Sequence, residues 1–294
     1  MMIEDFLNYL RYERNRSELT VRNYERSLKD FESYFKNRES HLSWESVDSD
    51  VIRDWMESMM DKGDMASTVN NSLSAVRSFF RFALSRGLVG CDPSYSVKGP
   101  KKQKPLPQFV REDEMNRLID LPQMWEDNYK GMRARTIIIL FYETGIRLAE
   151  LVGLDDKDVD FVNRQLKVTG KRNKQRIVPF GDELAKVLME YMRLRDEQPL
   201  RQEQALFLND KGRRITRSQV ESVVKRGLSM VTTLKKRSPH VLRHSFATAM
   251  LYNGAGLESG RRLLGHESVA TTEIYTHTTF EQLKKVYEIA HPRA

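Results

Sequence analysis

Residues 91–108 are the stretch that most constrains the fold, because they contain four prolines, four lysines, one glycine and a single acidic residue. Proline lacks a backbone N–H and keeps the chain extended, so this composition favours neither a helix interior nor a central strand. The whole chain, at 294 residues, is long enough for about two domains. We therefore predict a first domain at residues 1–90, a linker at 91–108 and a second domain at 109–294.

The first domain has apolar residues at helical spacing throughout. We expect Thr20 to cap the second helix, and Asp48 or Ser49 to cap the third. The fourth helix is expected to start near Ser67 and to stop at Gly87, a residue typical of a left-handed helix end. These signals predict a compact bundle of four helices.

The second domain begins with helical patterns and then changes period. After a buried helix at about 133–144, three short stretches alternate apolar and polar residues at 159–161, 165–169 and 175–180. Helical patterns resume from residue 182. The fold class is therefore mainly α, with one small three-stranded antiparallel sheet in the second domain.

The charge is distributed unevenly along the chain. The first 100 residues hold 14 basic and 16 acidic residues, and the remaining 194 hold 35 basic and 25 acidic ones. This asymmetry indicates a polyanionic partner for the second domain, most often nucleic acid, although a basic surface without such a partner is a common alternative.

Composition and motifs exclude several classes of protein. Cys91 is the single cysteine, which excludes an internal disulfide, zinc fingers and iron–sulfur clusters. The chain has no apolar run of the length that a membrane span needs and no secretory signal, so we expect a cytoplasmic protein without membrane insertion. It also lacks a phosphate loop, and we expect no cofactor. His240 and His244 have the spacing of zinc proteases, but Val241 occupies the position of the general-base glutamate, so we expect no metal site.

The remaining candidates are strong phosphate-binding groups in the second domain. Arg147 starts a helix, and Glu150 lies on the same face, where it can orient the guanidinium. Lys171 occupies the tip of the predicted hairpin, and His240 and Arg243 project together from one helix. Each of these residues alone has an ordinary structural explanation, such as a helix-end ion pair or a solvated turn lysine. With His266 and Tyr275, the set could perform phosphoryl transfer without a metal.

Five strings in a fixed order carry a family resemblance. They are Thr144-Gly-Ile-Arg-x-x-Glu-Leu, Gly170-Lys, His240-x-Leu-Arg-His-Ser-Phe-Ala-Thr248, Leu263-Leu-Gly-His266 and Ile274-Tyr-Thr-His277. Together they closely resemble the tyrosine recombinase family, and within it the bacterial XerC/XerD chromosome-dimer resolvases. The resemblance covers nearly the whole chain.

The resemblance implies a role for each candidate. Tyr275 would be the nucleophile that forms a 3′-phosphotyrosyl bond with DNA. Arg147 and Arg243 would clamp the non-bridging phosphate oxygens, with a further hydrogen bond from His266. Lys171 would protonate the departing 5′-oxygen, and His240 would help to remove the tyrosine proton. The remaining residue, Glu150, would not contact the substrate and would support the residues that do.

The family also implies an architecture and partners. A SAM-like core-binding bundle and a catalytic domain would form a C-shaped clamp around double-stranded DNA. Four protomers, of one or two kinds, would assemble on two duplexes, and a partner recombinase and an activating protein are possible. The expected function is Xer-type chromosome dimer resolution. Open alternatives are an integrase or transposase of a mobile element, a type IB topoisomerase, and a DNA-binding protein that kept the fold without activity.

An apolar stripe follows the proposed nucleophile. Its members are Phe280, Leu283, Val286, Tyr287 and Ala290. A stripe of this kind must be buried. The family resemblance favours docking onto a neighbouring protomer, and packing on its own domain is the alternative.

Overall fold

The chain divides into two compact units, Met1–Pro105 and Leu106–Ala294. The structure is a computed structural model that describes residues 2–101, 108–170, 173–198, 204–254 and 285–293. Each unit has its own apolar core.

The first unit is a bundle of helices around an aromatic core. Its helices are α1 (Met2–Asn8), α2 (Glu18–Arg38), α3 (Ser49–Asp61) and α4 (Ala66–Ser85), and α1 continues into a π-helical turn at Tyr9–Glu13. Phe6, Phe31 and Phe79 are fully buried at its centre. The four predicted helices are therefore present.

The start of α2 differs from the sequence prediction. Ser17, and not Thr20, is the capping residue, because the Ser17 hydroxyl accepts a hydrogen bond from the Thr20 backbone N–H at 3.3 Å. Thr20 lies inside the first turn, with its own hydroxyl 2.8 Å from that of Ser17. Of the two predicted candidates, Asp48 caps α3, since its carboxylate accepts from two backbone N–H groups at 2.9 Å, and Ser49 is the first residue of the helix.

The proline- and lysine-rich segment begins as part of the first unit. Val97 is 1% exposed and belongs to the aromatic core of the bundle. The side chain of Asn70 donates to the carbonyl of Pro100 at 2.8 Å, and Arg77 donates to the carbonyl of Val97. Residues 97–100 are therefore held against α4.

The second unit places one small sheet among helices. The helices are α5 (Glu112–Asp120), α6 (Tyr129–Thr144), α7 (Leu148–Gly153), α8 (Asp182–Asp196), α9 (Arg217–Ser229) and α10 (Pro239–Tyr252), and residues 285–290 form a C-terminal helix. The strands are β1 (Val159–Asp160), β2 (Gln165–Thr169) and β3 (Gln175–Pro179). They pair antiparallel in the order β1-β2-β3. The mainly helical fold with a three-stranded antiparallel sheet is confirmed.

Helix α6 is the centre of this unit. It is apolar on all sides over residues 137–142 and packs against α8, α9 and α10. A helix that is apolar all round must be enclosed by neighbours. Within the described ranges, no helix is long and apolar enough to cross a bilayer.

Candidate active site

Arg147 lies at the junction between α6 and α7. Gly145 ends α6 with φ 58° and ψ 20°, a left-handed conformation that glycine adopts without steric cost. The next residue, Ile146, is buried at 1% exposure. The backbone of Arg147 is then extended, with φ −80° and ψ 152°, and α7 follows at once. A glycine turn on one side and a helix start on the other thus fix the position of Arg147.

Glu150 holds the side chain and the backbone of Arg147 together. The Arg147 backbone N–H donates to Oε2 of Glu150 at 2.7 Å, and its guanidinium donates to Oε1 at 2.9 Å. The Glu150 side chain is 1% exposed and that of Arg147 is 40% exposed. Glu150 therefore orients a guanidinium that still faces solvent and can reach a ligand.

Arg176 is a site residue that the sequence reasoning missed. It lies on β3 opposite Val168 of β2, and its side chain is 9% exposed. Its two terminal nitrogens donate to the two oxygens of Glu150 at 2.6 and 3.0 Å. The one available signal was an arginine inside a strand of otherwise apolar pattern.

Glu150 is ionised in spite of its burial. Burial raises the pKa of a carboxyl group, but the hydrogen bonds and charge of Arg176, with those of Arg147, outweigh it and lower the pKa of Glu150 below its ordinary value. The carboxylate thus remains charged at neutral pH and accepts four hydrogen bonds from two arginines.

The β2–β3 hairpin reaches the same carboxylate. The backbone N–H of Gly170 donates to the carbonyl of Lys174 at 2.7 Å, which closes the base of the turn. A Cβ on Gly170 would lie 3.2 Å from Oε1 of Glu150. The residue before Lys171 therefore lies directly against the group that orients Arg147, while Lys171 itself is outside the described residues.

Arg243 joins the group from α10. It is 8% exposed, and its guanidinium donates to the carbonyl of Gly145, two residues before Arg147. Burial, reinforced by the positive charges of Arg147 and Arg176, lowers the pKa of Arg243 to about 10, while the charge of Glu150 acts in the opposite direction. Arg243 is still cationic at pH 7, so a third guanidinium group lies near the two that bind Glu150.

His240 occupies the first turn of α10, one turn before Arg243, and is exposed. Partial desolvation, and then the positive charges around Lys236, His244 and Arg243, lower its pKa below the ordinary value of 6.5, and Glu221 opposes this shift. The imidazole is therefore neutral at pH 7 and able to accept a proton.

Helix α10 is held by contacts from its middle to its C-terminal end. Ser245 accepts a hydrogen bond from the backbone N–H of Val110 at 2.8 Å. Phe246 and Met250 pack against Tyr287 and Ala290 of the C-terminal helix. The described part of the apolar stripe thus packs on its own domain, which is the alternative to the expected docking on a neighbour.

The structure brings together four of the seven predicted site residues. Arg147, Glu150 and Arg243 are in one cluster, and His240 is one turn away on α10. His266 and Tyr275, like Lys171, lie outside the described residues. Among the residues that are described, no group of three or more His, Cys, Asp or Glu side chains could hold a metal ion.

Comparisons with known proteins cover the full length of the chain. Residues 108–282 match the phage integrase family, and residues 3–87 match the phage integrase N-terminal SAM-like domain. The tyrosine recombinase XerD of Staphylococcus epidermidis is 36% identical over 296 residues, which cover 100% of this chain and 99% of the relative. The tyrosine recombinase XerC of Chlorobaculum parvum is 37% identical over 317 residues, which cover 99% of this chain and 94% of the relative.

A solved structure shares the fold. The recombinase XerH, in a post-cleavage complex with its palindromic difH substrate, superimposes with a TM-score of 0.72 at 24% identity, covering 94% of this chain and 81% of that one. At this identity the similarity concerns the fold alone. The sequence relatives, in contrast, confirm the family resemblance that the motifs predicted.

Proposed function

This chain belongs to the phage integrase family and is a site-specific tyrosine recombinase of the Xer type, and on that premise we propose that it cuts and rejoins double-stranded DNA through Tyr275. The tyrosine oxygen attacks a backbone phosphorus, a 3′-phosphotyrosyl bond forms, and the bond to the 5′-oxygen breaks. Attack by the 5′-hydroxyl of another strand reverses the step. Because one phosphodiester is exchanged for another, no nucleotide hydrolysis is required.

The observation that carries this proposal is the cluster of three arginines around Glu150. Arg147, Arg176 and Arg243 contribute three positive charges and Glu150 one negative charge, a net charge of +2 in a largely buried site. A phosphodiester carries one negative charge, and more negative charge develops on its oxygens as the nucleophile attacks. A fixed cationic site is complementary to that change, and donors of this kind often make the largest single contribution to catalysis.

The remaining roles follow from the family motifs. Arg147 and Arg243 hold the non-bridging oxygens, and His266 donates to the same charge. Lys171 protonates the 5′-oxygen. His240 takes up the tyrosine proton, and its lowered pKa supports this role because a neutral imidazole can act as a base.

The DNA substrate and the assembly are the further parts of the proposal. The relatives named XerC and XerD match at similar identity, so either type is compatible with this chain. We assign it to chromosome dimer resolution in the cytoplasm, by a tetramer of one or two kinds of protomer on two duplexes, with room for an activating protein. The excess of basic residues after residue 100 supports binding to the DNA backbone.

Trapping of the covalent intermediate tests the chemistry. On a nicked suicide substrate, wild-type protein should accumulate a covalent DNA adduct on a denaturing gel, and Tyr275→Phe should bind DNA without forming one. Tyr252→Phe is a matched control, since Tyr252 is 82% exposed on α10 and should leave the adduct unchanged. An adduct that persists in Tyr275→Phe would place the nucleophile elsewhere.

A plasmid assay tests the biological class. A recombinase should exchange strands between two copies of its site, whereas a type IB topoisomerase would relax a supercoiled plasmid without exchange. Mapping of the trapped adducts across the source genome separates the remaining possibilities. One chromosomal site supports dimer resolution, and sites at the ends of a mobile element support an integrase.

A further inference from the structure

Two catalytic elements of the proposed site share one buried carboxylate. Glu150 accepts from the backbone and the guanidinium of Arg147 on one side and from both terminal nitrogens of Arg176 on the other. Arg147 belongs to the α6–α7 junction, and Arg176 belongs to the β2–β3 hairpin. The carboxylate therefore connects the α6–α7 junction to the β2–β3 hairpin.

The contact between Arg176 and Glu150 lies at the base of the turn that carries Lys171. The register pairs Val168 with Arg176 and Thr169 with Gln175, and Gly170 with Lys174 closes the turn. The Cα of Gly170 approaches Glu150 so closely that a Cβ there would be 3.2 Å from Oε1. A shift of Arg176 against Glu150 would thus move the base of this turn.

We propose that Arg176 is a positioning residue, which holds the Lys171 hairpin against Glu150 and thereby sets the general acid at its distance from the Arg147 clamp. This inference rests on the proposed function. Its chemical basis is the two-pronged contact, since a planar guanidinium fixes both oxygens of a carboxylate and an ammonium group cannot.

Direct contact with the phosphate is a weaker explanation for Arg176. Its two terminal nitrogens donate to the two oxygens of Glu150 at 2.6 and 3.0 Å, so a phosphate would have to displace this two-pronged contact. Arg176 therefore acts through Glu150 and the hairpin.

The test compares two DNA substrates, one with the ordinary 5′-bridging oxygen and one with sulfur at that position. A thiolate leaves without protonation, so sulfur restores cleavage when only the general acid is impaired. Single-turnover adduct formation is measured at saturating protein, which removes effects on DNA binding. A displacement of about 1 Å can cost about 10²-fold in rate, and we expect a loss of this order for Arg176→Lys on the oxygen substrate.

The pattern of rescue carries the inference. Sulfur should restore most of the activity of Arg176→Lys and of Lys171→Ala, but not that of Arg147→Ala, because the clamp is still missing there. Arg164→Lys is a matched control. Arg164 lies at the other end of the hairpin, and its guanidinium binds the carboxylate of Asp182. It should cleave both substrates like the wild type.

Three results would overturn the inference: an unchanged rate for Arg176→Lys on the oxygen substrate, an equal loss on both substrates, or rescue of Lys171→Ala alone. The proposed function fails separately, if wild-type protein forms no adduct with either substrate. The assignment of Lys171 as the acid fails if sulfur does not rescue Lys171→Ala.

A second variant protects the test against a folding defect in Arg176→Lys, which circular dichroism would detect. Gly170→Ala leaves Arg176 intact and pushes the turn away from Glu150 by a few tenths of an ångström. It should slow cleavage of the oxygen substrate by about 10-fold, less than the 10²-fold expected for about 1 Å, and sulfur should restore it. Wild-type rates on both substrates, or a loss that sulfur does not restore, would refute the coupling between hairpin and clamp.

Discussion

Two buried glutamates seven residues apart experience opposite environments. Glu150, behind Arg147, accepts four hydrogen bonds from two arginines. Glu143, in the last turn of α6, is fully buried and accepts from the backbone N–H of Gly181 at 3.2 Å and from the hydroxyl of Tyr287 at 3.3 Å. Both of those donors are neutral, and among the described residues Oε1 of Glu143 has no hydrogen-bond partner.

The difference appears in the charge of the two side chains. Burial raises the pKa of Glu143 to about 8, because the hydrogen bonds from Gly181 and Tyr287 offset only part of the desolvation. The pKa of Glu150 is lowered, although it too is buried, because its donors are cationic. Burial alone therefore does not decide whether a carboxyl group keeps its proton. The charge of its donors does.

This contrast separates two tasks of the α6–α7 segment. An ionised Glu150 keeps Arg147 and Arg176 in place at the site where we propose that the phosphate binds. A protonated Glu143 supports the C-terminal helix, through Tyr287, without placing a negative charge close to that site.

The largest expected effect is on stability, when the charge of each glutamate is removed in turn. Glu150→Gln leaves Arg176 buried without its counter-ion, and loss of one partner of a buried ion pair costs about 3–5 kcal/mol. Glu143→Gln replaces a neutral acid with a neutral amide of similar shape. It should not lower the stability at pH 7, because the unfolded wild type releases the Glu143 proton at that pH and the amide has none to release. Urea unfolding measures both values, and equal losses would contradict the contrast.

The second prediction concerns DNA cleavage and the arginines near Glu150. Arg147→Ala and Arg243→Ala should each slow adduct formation by about 10²-fold or more, the usual effect of removing one preorganised donor to a developing oxyanion. Glu143→Gln, on the other side, should cleave at nearly the wild-type rate. Single-turnover cleavage of a suicide substrate measures all three. A normal rate in either arginine variant would remove that residue from the clamp.

Much of this architecture could be predicted from local spacing. The change from helical to alternating period located all three strands, and the three-residue spacing of Arg147 and Glu150 predicted their contact. Local spacing cannot predict a contact between Arg176 and Glu150, because 26 residues separate them and only the paired hairpin brings them together.

Two further features depend on context that the sequence does not contain. Ser17 and Thr20 are both good capping residues, so residue type alone does not decide which of them caps α2. The sequence shows an acidic residue, Glu143, directly after an apolar run. Its neutral state depends on burial by elements that are distant in the sequence, such as the C-terminal helix, whose Tyr287 is 144 residues away.

The third prediction is a pH dependence of opposite sign for the two glutamates. The folded pKa of Glu143, about 8, lies above its ordinary value of 4.5. Between these values the unfolded chain has released the proton and the folded chain keeps it, so stability falls as pH rises, by up to about 1.4 kcal/mol per pH unit. The pKa of Glu150 is lowered instead, so its contribution is present above 4.5 and is lost as pH falls through the folded pKa.

Glu143→Gln isolates the first of these effects. Relative to the wild type, this variant should gain stability steadily from about pH 5 to about pH 8, and the gain should level off above that range. Urea unfolding of both proteins across the range measures the difference. Parallel curves would mean that Glu143 is ionised in the folded protein at neutral pH.

The smallest expected effect is that of Tyr287→Phe, which removes one neutral donor from Glu143 and leaves the ring in place. The net loss should be about 1 kcal/mol, typical of a single buried hydrogen bond. The hydrogen bond from Tyr287 lowers the pKa of Glu143, so its removal should raise that pKa. The pH above which stability no longer falls should therefore also rise. Tyr252→Phe, on the exposed face of α10, is the control and should change neither quantity. If Tyr287→Phe instead left both the stability and its pH dependence unchanged, Glu143 would not support the C-terminal helix. The role assigned to Glu143 would then be wrong.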